Sequence, residues 1–377
     1  MISPFRLEIG FILTLTININ IDRKKFNHYH IVIDRKKLEK LDSLRCIMAD
    51  NSLGSQFKIT SFGESHGKVV GIIVDGVPAG IEIDKTFIQS ELDKRKPGQS
   101  KVTTSRKEAD KVKIISGIFK GNTTGAPLCM LIDNKDKDSS KYEKYKDLLR
   151  PSHIDYSALK KYHGFSDYRG SGRFSGRITA GFVMAGAIAK QILEMNDISV
   201  IAYTKSIGGI FDKKEYTSEE IGHLRILREK NVIRALDQNK AEQMQDLISQ
   251  IKKEKDSIGG SIQCFIKNVP PGVGGAIFNG FESIISQAIF SIPAVKGIEF
   301  GAGFQATKMR GSEHNDPWII QKNEIKTAKN DAGGIIGGIS IGMPIEFRVA
   351  IKPTPTIGKE QKSVNIKEMK KTKIQIE

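Results

Sequence analysis

The stretch from Thr179 to Leu193 constrains this chain most. It carries Ala180, Phe182, Val183, Met184, Ala187, Ile188, Ile192 and Leu193, so apolar side chains fall on nearly every side of a helix. A helix that is apolar all round has no face for water and must be buried. It is therefore expected at the centre of the fold. With 377 residues, 39% of them hydrophobic, the chain is long enough to enclose it within one large domain.

From Met48 onward the pattern mixes helices and strands with many glycines. Asp84 can cap a helix whose apolar positions include Phe87, Ile88 and Leu92. A polar helix around Asn239 to Lys253 is expected to be exposed. The segment from Tyr142 to Gly176 is rich in Gly, Arg, Tyr and Ser and reads as a long functional loop. The chain also echoes itself. Val77-Pro78-Ala79-Gly80 closes one strand and Val269-Pro270-Pro271-Gly272 another, and a helical stretch follows each. Gly125-Ala126-Pro127-Leu128 and Gly342-Met343-Pro344-Ile345 each open an apolar strand. Matching punctuation in two β-turn-helix-β halves predicts pseudo-twofold repetition within one domain. A crossover from Arg150 to roughly Lys255 would hold the central helix.

Residues 1–47 differ from the rest. They carry Arg23-Lys24-Lys25 and Arg35-Lys36-Lys37, and no glycine after Gly10. Glu8, Asp22, Asp34, Glu39 and Asp42 argue against a transit peptide, which avoids acids. The segment is expected to be an N-terminal extension outside the fold, with Met48 as the natural first residue and 48–377 as the domain, truncated at its C-terminal end. The run Ile9 to Ile21 contains Thr and Asn and is too short to span a bilayer. Cys46, Cys129 and Cys264 are far apart and odd in number, so neither a disulfide framework nor a metal site is expected. A reducing, cytoplasmic compartment follows.

The formal net charge of +16 suggests an anionic partner: nucleic acid, a membrane surface or a multiply charged small molecule. With no RNP-type motif, no Cys/His finger and only 7% aromatics, stacking platforms for single-stranded nucleic acid are not expected, and a solvated Lys-rich surface stands beside the anionic partner as a reading of the charge.

The chemistry concentrates in five stretches. Phe62-Gly63-Glu64-Ser65-His66-Gly67 lies between two strand-like runs, where glycines allow close approach, Ser65 can donate a hydrogen bond and His66 can move a proton. Leu92-Asp93-Lys94-Arg95-Lys96-Pro97-Gly98-Gln99-Ser100-Lys101 is a basic loop at a helix end. The helix dipole favours cations there, so a structural reading stands beside an anion clamp. Arg150-Pro151-Ser152-His153-Ile154-Asp155 poises an imidazole beside a carboxylate. Asp167 to Arg177 brings glycines, arginines and hydroxyls to the start of the buried helix, an anion seat without the Walker ending. Finally, the paired glycines from Gly333 to Gly338 and the run Lys352-Pro353-Thr354-Pro355-Thr356-Ile357 suggest backbone held close to a flat ring or a phosphate.

In this set the chain closely resembles the chorismate synthase family. Phe62 to Gly67 matches its first signature. Arg173 to Lys190 matches the second, with Phe174 where many members have Ser and Gly176 where many have Ala. Gly333 to Ile357 matches the third. The resemblance implies an α+β fold, with buried helices sandwiched between antiparallel sheets. It implies a 1,4-anti elimination of phosphate from 5-enolpyruvylshikimate 3-phosphate, giving chorismate for aromatic amino-acid biosynthesis. It further implies reduced FMN as cofactor, NADPH as the flavin's reductant, a homotetramer, and no membrane or nucleic-acid partner. By motif position His66 resembles the histidine that protonates the departing phosphate, Ser65 its neighbour near the flavin, and His153 the histidine at the flavin N1–C2 edge. Arg173, Phe174, Ser175, Pro293, Ala294, Gly337 and Lys352, Pro353, Thr354, Pro355, Thr356 match FMN-contact segments. Arg95 and Lys101 match a pair that binds the nicotinamide phosphate or substrate anions; Lys101 is commonly Arg there, which weakens a bidentate clamp. One departure lies at the end. The family continues past the position of Glu377 into a Gly-Arg-His-Asp-Pro-Cys segment and a final helix. On that ground the alternative expectation is a catalytically weak homologue that binds only flavin or partner subunits.

Overall fold

The computed structural model describes residues 50–96, 108–135 and 138–376. The expected extension 1–47 and Lys101 lie outside the described residues.

Two five-stranded antiparallel sheets face each other across a layer of helices. The first is built from β1 (Ser52–Leu53), β2 (Lys58–Gly63), β3 (Val69–Asp75), β4 (Lys113–Ser116) and β5 (Leu128–Asp133), in the order β1-β2-β3-β5-β4. The second uses β6 (Ser199–Ile207), β7 (Ile210–Phe211), β8 (Gly260–Lys267), β9 (Val295–Phe300) and β10 (Ile345–Ile351), in the order β7-β6-β8-β10-β9. The two orders superimpose. β3-β5-β4 corresponds to β8-β10-β9, and in each sheet the last strand in sequence is inserted between the other two. The predicted echo is therefore a repeat of topology: a helix follows each Pro-Gly turn, α1 (Lys85–Arg95) in one half and Phe281–Phe290 in the other.

α1 starts where predicted, with the Asp84 carboxylate accepting from the Thr86 N–H at 2.7 Å. The central helix, α2 (Thr179–Glu194), buries Ala180, Val183, Met184, Ala185, Ala187, Ile188, Ala189 and Leu193. It touches α1, β3 and β5 on one side and β6 on the other. Small residues set that closeness: a Cβ on Gly181 would stand 3.0 Å from the Gly71 carbonyl oxygen of β3. The core is continuous from Ile72 and Met130 through Met184 and Ile188 to Cys264 and Phe347.

Two expectations need correction. The crossover is shorter than predicted, because β6 and β7 already belong to the second sheet. The polar helix, Gln238–Lys253, is not wholly exposed: Ala241, Met244 and Ile248 pack with Ile207, Ile233 and Ala235 in a small separate core. Its three buried positions fall at i, i+3 and i+7, a narrow stripe that a charged composition masks. Among the described residues no helix is long and apolar enough to cross a membrane.

Met184 is fully buried between the layers. Met184→Ala should lower the unfolding free energy by about 2–4 kcal/mol in urea titrations. A loss below about 1 kcal/mol would remove α2 from its central role.

Candidate active site

A cleft of about 1750 Å³ is lined by the end of β2, the segment from Asp138 to Arg177, and residues 290–296 and 352–356. Its floor is polar and buried. Arg95 at the end of α1 reaches Asp110 at 3.4 Å and donates to the Gly176 carbonyl at 2.7 Å. Arg177 meets the other Asp110 oxygen at 2.5 Å and donates through Nε to Asn134 Oδ1 at 2.9 Å. The Asn134 amide then donates to the carbonyls of Glu64 and Gly67, at 3.0 and 3.1 Å. Those two carbonyls bracket Ser65-His66, so the turn carrying the first imidazole is tied directly to the floor. Gly63 enters this turn at φ +87°, where a Cβ would lie 2.1 Å from the Val69 carbonyl.

His66 Nδ1 is hydrogen-bonded to Ser139 Oγ at 2.8 Å, and the Tyr142 ring meets the imidazole edge-on at 5.1 Å. Its Nε2–Cδ2 edge lies against Gly170, where a Cβ would stand 2.5 Å from Nε2 and 2.2 Å from Cδ2. Ser65 Oγ accepts from Ser175 Oγ at 3.2 Å.

His153 sits across the same cleft. Its Nδ1 is 2.7 Å from Asp155 Oδ1, and its Nε2 is 3.2 Å from Ser171 Oγ. Arg150 grips both Asp155 oxygens, at 2.9 and 2.7 Å. Burial alone would raise the Asp155 carboxyl. Hydrogen bonds from His153 and Arg150, with the Arg150 charge, outweigh that and hold it well below the usual carboxylate range. Gly170 thus touches one imidazole and its neighbour Ser171 the other. Both have positive φ, as does Gly172.

The remaining predicted residues separate into groups. Phe174 and Ser175 line the cleft, with the Phe174 ring tilted on Tyr162. Arg173 also lines it, yet its guanidinium donates to the Gly63 and Ser61 carbonyls and to Asn51 Oδ1, bracing the end of β2. Pro293, Ala294, Lys352, Thr354, Pro355 and Thr356 form a facing wall, joined where the Lys352 N–H donates to the Ala294 carbonyl at 2.9 Å. The Lys352 ammonium donates to Ser152 O at 2.8 Å, beside His153. Arg95 is in the floor, 4% exposed. Pro353 packs toward Gly259, and Gly337 turns the hairpin between Ile335–Ile336 and Ile339–Ser340; neither lines the cleft. Gly337 at φ +60° serves the turn itself.

Sequence reasoning missed Ser139, Asn134 and Asp110. A serine in a polar loop and an asparagine after a strand carry no periodic signal. Only the fold brings them to His66 and its turn.

Chemically, the cleft can seat a polyanion, move a proton at His66, and hold His153 with Nδ1 fixed by an ionised carboxylate.

Gly170→Ala should push the His66 ring aside, seen as shifted His66 imidazole resonances in NMR; unchanged resonances would refute the contact. Asp155 supplies a pH test. Its lowered carboxyl stabilises the fold above the unfolded value near 4, and that contribution is lost as pH falls through the lower folded value. The stability gap between wild type and Asp155→Asn should be widest near pH 7 and narrow below about pH 3 in denaturant titrations. A gap that stays constant down to pH 2 would contradict it.

Residues 57–377 match the chorismate synthase family. The chorismate synthase of Dehalococcoides mccartyi is 50% identical over 326 residues, covering 86% of this chain and 88% of that relative. The Methanococcoides burtonii enzyme of the same name is 47% identical, covering 87% and 88%. A crystal structure of chorismate synthase is similar with TM-score 0.68 at 31% identity, covering 80% of this chain and 85% of that one.

Proposed function

The chain belongs to the chorismate synthase family, and from that premise we propose how its residues share the reaction. The enzyme is a carbon–oxygen lyase. It eliminates phosphate from 5-enolpyruvylshikimate 3-phosphate in a 1,4-anti sense, giving chorismate. The alternative of a homologue that binds flavin without turnover has no support in these likenesses.

The cleft fits the group the family uses. About 1750 Å³ exceeds the roughly 300–1,000 Å³ of a single drug-sized site, so a flavin nucleotide and a substrate can lie together. Cations are present on more than one side, and Pro293, Ala294, Lys352, Thr354, Pro355 and Thr356 form a wall that carries two threonine hydroxyls. When bound, reduced FMN supplies the electron density and the hydrogen acceptor that loss of phosphate requires. Arg173, Phe174, Ser175, Pro293, Ala294, Lys352, Thr354, Pro355 and Thr356 would hold it. Pro353 and Gly337 enter through the backbone geometry of their segments.

His66 donates a proton to the departing phosphate. Ser139 orients its Nδ1 side, and Gly170 leaves room at the Nε2 edge. Ser65 hydrogen-bonds beside it. His153 places a proton-bearing ring across the cleft, anchored through Asp155. Arg95 adds positive charge from the floor for the anionic groups, a task Lys101 is proposed to share. NADPH serves outside the elimination, keeping the flavin reduced. The observation that carries this reading is that two imidazoles share one cleft, separated by the adjacent residues Gly170 and Ser171.

We further propose that the catalytic domain starts near residue 48, that the protein works in the cytoplasm, and that it assembles as a homotetramer. The start of the family match at residue 57 supports the first. Exposed Trp318, Ile320 and Ile325 on one hairpin support a covered face in an assembly.

The test is anaerobic turnover of the full chain with reduced FMN and substrate, following chorismate and phosphate together. His66→Ala and His153→Ala should each lower kcat by about 10²-fold or more, with flavin still bound. Normal turnover in either variant would remove that residue from the chemistry.

A further inference from the structure

We propose that Ser171 is a positioning residue for His153, its hydroxyl fixing the imidazole and the side on which the ring carries its proton. The inference rests on the reading of His153 given above.

Ser171 lies at φ +69°, ψ 12°, between Gly170 and Gly172. An L-residue is disfavoured there, and glycine would adopt the conformation without that cost. A side chain kept in such a place invites the question of what it does. Its Oγ is 3.2 Å from His153 Nε2 and 3.4 Å from the Arg150 Nη2 donor. Arg150 can only donate. It occupies one of the two lone pairs of Oγ, and the Ser171 hydroxyl hydrogen is free to turn toward Nε2. On the opposite edge Asp155, an acceptor, takes the Nδ1 hydrogen at 2.7 Å. Neutral His153 is thus held with its proton on Nδ1 and its lone pair on Nε2 facing a donor.

The charged groups around the ring are Asp155 and Arg150 from its own turn, and Lys352 from the end of β10, whose ammonium binds Ser152 O. Ser171 places a hydroxyl against the Nε2 edge, so removing it should change the hydrogen bonding of Nε2.

The experiment uses flavin-free full-length protein labelled with ¹⁵N-histidine, comparing wild type, Ser171→Gly and Ser171→Ala. Both variants delete the hydroxyl, but only glycine relieves the left-handed backbone. If the hydroxyl matters, both should move the ¹⁵N resonance of His153 Nε2, the atom that Ser171 Oγ faces at 3.2 Å, and by a similar amount. Tm should instead separate them, with Ser171→Gly the more stable. An unmoved Nε2 resonance in both, or a shift in the alanine variant alone, overturns the proposal. The pH dependence of kcat then reads the His153 assignment independently. If the Nε2 resonance moves and the rate profile does not, Ser171 still positions the ring, and the role of His153 in the elimination is what fails.

Discussion

The site hangs on a buried ionic knot. Arg95, Arg177, Asp110 and Glu108 are all buried, with both guanidiniums on Asp110 and the Glu108 carboxylate 4.0 Å from Arg177. Such groups are tolerated only when paired, and removing one partner strands the others at a cost of about 3–5 kcal/mol. The four residues come from the end of α1, the segment before β4 and the approach to α2. Through Arg177 and Asn134 the knot also fixes the Ser65-His66 turn. Its value is geometric: it joins chain segments that have no apolar reason to meet, at the place where the central helix leaves the core.

That junction explains why some of the architecture could be read from sequence and some could not. The burial of α2 follows from its composition, because no exposed solution exists for it. The twofold echo follows from Pro-Gly turns, whose meaning is local. The imidazoles could be named because a glycine-flanked Ser-His and a His beside Asp are compact patterns. Partners across the fold are different. Ser139 is 73 residues from His66, and nothing near it marks it as the group that would meet Nδ1. Arg173 shows the same limit from the other side. Its position beside the cleft was legible, but the direction of its guanidinium, into the carbonyls that end β2, depends on strands far away in sequence. Gly337 follows that pattern too: paired glycines suggested a close ligand, whereas a tight hairpin demands them for its own backbone.

The charge of the cleft also differs from what composition suggests. A net +16 implies a surface rich in free cations. Around the imidazoles, however, Arg150 is engaged by Asp155, Arg169 by Asp167, and Arg173 by carbonyl oxygens. These cations hold loops in place before any ligand arrives. The diffuse excess acts at longer range, drawing anions toward the opening in a salt-dependent way. Capture and positioning are thus supplied by different lysines and arginines, and neither follows from the total.

The left-handed run Gly170-Ser171-Gly172 shows how steric demand selects a sequence at the meeting point. A Cβ at 170 would enter the His66 ring, and one at 172 would stand 2.2 Å from the Asp167 carbonyl. Both places require glycine on space as well as on φ. The Gly172 carbonyl in turn accepts from the Ser65 N–H at 3.2 Å, so the backbone of the run is pinned to the first histidine's turn. Between two crowded positions, residue 171 is the one whose side chain has somewhere to go, and that direction leads to His153. The spacing of the two imidazoles is therefore set by three consecutive residues of one backbone, and any change in their φ values would move both rings relative to each other.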